Sequence, residues 1–203
     1  MSSNFLQNIT KEEIEKLSLR YFDGEIVLVD SIITLKETVE FLKTQKTIGF
    51  DTETRPKFTK GQKNQVALLQ LSTTQKAFLF RLNTIKLPDA LSSILQNTEI
   101  IKIGADIGQD LCALQKISSF KASGFVDIQK YSGKFGIIDN GLKKLAANVL
   151  GIRISKSQRL TNWEAPILTY SQMLYAATDA WVCLKIYLKL EETLNEKQSN
   201  TVS

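Results

Sequence analysis

Apolar positions recur along this chain at two periods, and the switches between them divide it into strands and helices. Glu25 to Val29 alternates, and short β-rich apolar runs follow at Thr47 to Asp51, Val66 to Leu71, Ala77 to Phe80 and Ile100 to Gly104. Helical spacing marks Ile107 to Ile117, Gly141 to Leu150 and Ser171 to Leu194. Two earlier helices are announced by their starts: Thr10-Lys-Glu-Glu13 is a capping box opening a short helix to about Arg20, and Thr34-Leu-Lys-Glu37 begins a second. The order of elements predicts an α/β fold, a mixed sheet flanked by helices that lie mostly in the second half. Gly124 to Ile138 mixes glycine, lysine and aromatics without a period, so no element is predicted there. Residues 1–22 read as an appended helical arm, 23–192 as one domain, and 193–203 as a polar tail, frayed from Asn195 onward.

Composition narrows the chemistry. With 203 residues and 43% apolar content, the chain suffices for one well-filled core. No apolar run approaches the roughly eighteen residues that span a bilayer, and Met1-Ser-Ser-Asn4 lacks a basic-then-apolar leader, so a soluble, cytoplasmic protein without membrane partners is expected. Cys112 and Cys183 each stand among apolar residues in a helical pattern, as reduced core thiols would. The absence of histidine removes Ser/His/Asp triads, histidine bases and His-x-x-x-His zinc sites. Carboxylates, tyrosine, lysine or a metal must carry any chemistry. A net charge of +5 favours a polyanionic partner.

Three short segments hold the candidate site. Asp51 and Glu53 alternate on a strand and so point to one face, about 6–7 Å apart, with Thr52 pointing away. Arg55-Pro56 ends that strand. Asp106 and Gln109 form a capping box for the helix that carries Asp110 one turn in. On the last helix, Tyr175 and Asp179 are four residues apart and share a face. Each element alone has an ordinary explanation: solvated acids at a strand end, a first-turn acid favoured by the helix dipole, a surface tyrosine–aspartate pair. Together, in this order, four converging acids would repel one another, and divalent cations are the usual relief.

Gly49-Phe-Asp-Thr-Glu-Thr54, the strand Gln65-Val-Ala-Leu-Leu-Gln-Leu71, the turn Gly104 to Asp110, and Asn162-Trp-Glu164 followed by Tyr175-Ala-Ala-Thr-Asp179 resemble the DEDDy 3'-5' exonucleases, among them ribonuclease D and the Werner syndrome exonuclease domain. The likeness runs from about Gly24 to Leu190. It implies a ribonuclease H-like fold with a five- or six-stranded mixed sheet in a single domain. It further implies that Asp51, Glu53, Asp110 and Asp179 bind metal and that Tyr175 is the tyrosine of the third motif; a related subclass places histidine there.

The expected activity is hydrolysis of phosphodiester bonds from the 3' end of single-stranded or frayed DNA or RNA, releasing nucleoside 5'-monophosphates. Two ions about 3.5–4 Å apart serve such a reaction, and oxygen ligands suit Mg²⁺ or Mn²⁺. Tyr175, with an ordinary pKa near 10, would orient the attacking water first and act as a base second. Arg55 and Lys57, in a basic loop with Lys60 and Lys63, and Lys156 and Arg159 are candidates for phosphate contacts. Trp163 is a candidate stacking platform, or core. An aspartyl phosphatase would want an aspartate where Glu53 stands, and a glycosidase would want more aromatics. The remaining alternative is a catalytically silent nucleic-acid-binding or interaction module on the same fold.

Overall fold

A computed structural model of the chain describes residues 5–55 and 65–199. Six strands form one mixed sheet: β1 (Glu25–Val29), β2 (Thr47–Thr54), β3 (Val66–Ser72), β4 (Lys76–Arg81), β5 (Ile101–Gly104) and β6 (Phe125–Asp127), in the order β1-β4-β3-β2-β5-β6. β3 runs antiparallel to both of its neighbours, β2 and β4, while β1 pairs parallel with β4, and β5 and β6 extend the sheet in parallel beyond β2. Every residue of β3 is buried, which is why its sequence is an unbroken apolar run rather than an alternation.

The helices are α1 (Lys11–Glu15), α2 (Ile32–Lys43), α3 (Leu82–Ile85), α4 (Asp89–Gln96), α5 (Ile107–Gln115), α6 (Ile128–Ser132), α7 (Leu142–Leu150) and α8 (Tyr170–Ser199). Leu35, Val39 and Leu42 of α2, Leu91, Ile94 and Leu95 of α4, and Leu114 of α5 join Phe50, Leu69, Leu71, Phe78 and Phe80 in one core cluster. Leu68 and Leu79 instead meet Ala176 and Ala177 of α8. A third cluster ties Val182, Ile186 and Leu190 of α8 to Leu145 and Val149 of α7. The sheet is thus covered on both faces, and α8 crosses it over β2 and β3. Gly49 makes that crossing possible: a Cβ there would lie 1.9 Å from the Ala180 carbonyl oxygen.

Several boundaries differ from the sequence expectation. The α1 capping box is present, with Glu13 accepting from the Thr10 N–H at 2.8 Å, but the helix ends at Glu15. Ile9 and Ile14 then bury against Ala147, so the arm is docked on α7. α2 starts two residues before Thr34, because the Ser31 hydroxyl caps it by accepting from the Thr34 N–H. α8 continues to Ser199, five residues past Leu194, where a frayed tail was expected. Asp106 precedes α5 but makes no side-chain cap; it holds a left-handed backbone, φ 55°, and its N–H donates to Asp127. Cys183 is buried as expected, whereas Cys112 is exposed on α5. Among the described residues no helix is long and apolar enough to cross a membrane.

Candidate active site

β2 is central in the sheet, so the two carboxylates near its end are carried on a strand fixed from both sides. Asp51 and Glu53 alternate to the face that α8 covers, and a register shift between Glu53 and Thr54 ends the regular pairing with β3. From above, Tyr175 and Asp179 descend one helical turn apart, and the close approach at Gly49 seats that turn against the strand. The Tyr175 hydroxyl donates to the Asp179 carboxylate. One carboxylate oxygen from each of Asp51, Glu53 and Asp179 lies within 4.8 Å of the others. Such an all-oxygen group can hold a metal ion.

Asp110 is placed beside this trio and outside it, accepting a hydrogen bond from the Thr52 hydroxyl. Thr52 does leave the face of Asp51 and Glu53, as alternation requires, but its side chain is the link that ties the strand to Asp110. Nothing in the sequence pattern marks that role.

The electrostatics follow from the crowding. Burial, then the charges of Asp179, Glu53 and Asp110, hold the Asp51 carboxyl well above its ordinary range. Glu53 is pushed up to about 9 by burial and by Asp179 and Asp110, with Arg159 opposing. Burial raises Asp179 to about 7 against the Tyr175 hydrogen bond and Lys156, and raises Asp110 to about 6 against the Thr52 hydrogen bond. Tyr175 is driven above its ordinary value by burial and by the Asp179 and Glu53 carboxylates. Its phenol therefore stays protonated at neutral pH, which makes it a hydrogen-bond donor.

The cluster opens into a cavity of about 350 Å³ whose wall includes Lys156 and Arg159. These two basic residues, predicted as phosphate contacts, do reach the acids. Arg55 is exposed at the end of β2, 3.4 Å from Glu164. Lys57 lies outside the described residues. Trp163 is not a stacking platform: it is wholly buried among Leu68, Leu79 and Leu168, its ring centroid 6.0 Å from that of Tyr175, and it backs the tyrosine from inside the core. Gln129 and the start of α7 at Gly141 and Leu142 also line the cavity. Gln129 comes from the stretch without a period, where sequence offered no signal.

Comparison with known proteins places this geometry. A model of the 3'-5' exonuclease family matches residues 26–195. The chain is 32% identical over 182 residues to the bifunctional 3'-5' exonuclease/ATP-dependent helicase WRN of Mus musculus, covering 87% of this chain and 12% of that protein. It is 30% identical over 171 residues to ribonuclease D of Cronobacter turicensis, covering 82% of this chain and 44% of that one. It thus spans less than half the length of either curated relative. Among solved structures, the Nibbler EXO domain of Aedes aegypti superposes with a TM-score of 0.78 at 26% identity, covering 89% of this chain and 94% of that one.

Proposed function

Starting from the fact that this chain belongs to the 3'-5' exonuclease family, we propose that it is an active, metal-dependent exonuclease that removes nucleotides from the 3' end of single-stranded or frayed DNA or RNA. The observation that carries this reading is the trio of carboxylates within 4.8 Å, beside a protonated tyrosine and two basic side chains. The donor set fits hard divalent cations, Mg²⁺ or Mn²⁺, because all its ligand atoms are oxygens and the acids destabilise one another without a cation. Asp51, Glu53 and Asp179 would hold the ions, with Asp110 completing the site. Bound cations would neutralise charge on the reacting phosphate and favour ionisation of the attacking water.

The chain's own residues supply the rest. Tyr175, its phenol fixed on Asp179, orients the attacking water by hydrogen bonding rather than by taking its proton. Lys156 and Arg159 face the acids across the cavity and hold the phosphate of the terminal nucleotide. Trp163 prevents the tyrosine ring from retreating. The test is incubation with 5'-labelled single-stranded DNA and RNA, with Mg²⁺, Mn²⁺ or chelator, beside an Asp51→Ala control. A metal-dependent ladder shortening from the 3' end, absent in the control, is expected. Binding without cleavage under every condition would refute the activity and leave the silent-module reading.

A further inference from the structure

Gln70, in the middle of β3, is wholly buried. Neither its Nε2 nor its Oε1 has a hydrogen-bond partner among the described residues. Buried amides are normally satisfied, and an isosteric apolar side chain would fill the same space without the desolvation cost. Core filling therefore does not explain a glutamine here.

Its position points to the acids. The strand register sets Gln70 directly opposite Asp51 of β2. Opposed residues of an antiparallel pair share a sheet face, with Cβ atoms about 4.5–5.5 Å apart. That face is sealed by α8, which the Gly49 contact holds down on β2, so no bulk water competes for the amide. Ser72, two residues along on the same face, is also buried and unpartnered, but its opposite is Gly49, which has no side chain to hold. The two positions thus separate the effect of burial from the effect of facing Asp51.

We propose that Gln70 is a positioning residue: when the carboxylate cluster holds a divalent cation, the Gln70 Nε2–H donates to the Asp51 carboxylate and fixes which of its oxygens faces the ion. The inference rests on the metal-site reading above.

The test titrates Mn²⁺ by calorimetry into the parent protein and into Gln70→Met, Ser72→Ala and Asp51→Asn, and records thermal unfolding of each in chelator. Loss of a hydrogen bond that orients a ligand weakens metal binding about 10- to 100-fold. Gln70→Met is expected to show that loss while melting in chelator no lower than the parent, and Ser72→Ala to keep the parent's affinity. A folded Gln70→Met that binds Mn²⁺ as tightly as the parent overturns the proposal. Should Gln70→Met not fold, the parent decides it: Mg²⁺ must shift the Gln70 side-chain amide resonances and slow their hydrogen exchange, and unchanged resonances sink the idea. A parent that binds Mn²⁺ no better than Asp51→Asn refutes the metal reading itself, and Gln70's role falls with it.

Discussion

Replacing Asp179 by asparagine is expected to stabilise the metal-free protein. Burial lifts the Asp179 carboxyl from its ordinary 3.8 to about 7. At 1.36 kcal/mol per tenfold change in proton affinity, ionising it in the fold costs about 4 kcal/mol. Asparagine keeps a buried polar group in place, so about half of this, roughly 2 kcal/mol, should survive as net gain. For a domain of this size that is a rise in Tm of roughly 4–8 °C.

The size of the gain depends on pH. Because the folded pKa of Asp179 is raised, the folded state binds more protons than the unfolded state between about 4 and 7. The parent therefore loses stability as pH rises through that window, and the deficit is complete above it. Melting curves in chelator should show Asp179→Asn well above the parent at pH 8.5, with the gap closing as pH falls towards 4. Saturating Mg²⁺ should reverse the order, since a ligand at a hundred times its Kd adds about 2.7 kcal/mol to the parent alone. A variant that melts below the parent in chelator at pH 8.5, or whose advantage is independent of pH, would refute the account of the acids as mutually strained.

Tyr175→Phe removes the hydroxyl bonded to Asp179; kcat should fall about a hundredfold with Mn²⁺ binding retained, and parental turnover would sink the orienting role. Arg159→Ala, and separately Lys156→Ala, should raise KM on every sequence and reduce the slope of log affinity against log salt by about 1, whereas an unchanged slope means no phosphate contact. Gly49→Ala places a methyl 1.9 Å from the Ala180 carbonyl. Forced separation of α8 from β2 should lower Tm by roughly 5 °C or more and weaken Mn²⁺ binding; equal Tm would show that the approach is not tight.

The parts of the site legible in sequence were those with a period. Asp51 and Glu53 share a strand face, and Tyr175 and Asp179 share a helix face, so local geometry predicts both pairs. How the pairs meet is not local: it depends on Gly49, whose requirement is set by Ala180 more than a hundred positions away. Thr52 escaped for the same reason, since its partner Asp110 arrives from β5 and α5. Trp163 stood open between a stacking platform and core, because an indole next to a basic segment fits either until Leu68, Leu79 and Leu168 are seen to close over it. Asp106 has the residue type of a cap, but its left-handed backbone turns the side chain away from that use. Strands β1 to β5 were readable from apolar runs. β6, α3 and α6, with three, four and five residues, are too short to display any period.

The placement of α8 has a consequence in time. Asp51 and Glu53 are synthesised well before the turn holding Tyr175 and Asp179, which lies on the helix that also covers Leu68 and Leu79. Burial of that sheet face and completion of the carboxylate trio are one event. An emerging chain, surrounded by ribosomal and messenger RNA, has a sheet with one face uncovered and half a site. The trio of Asp51, Glu53 and Asp179 exists only once α8 is seated.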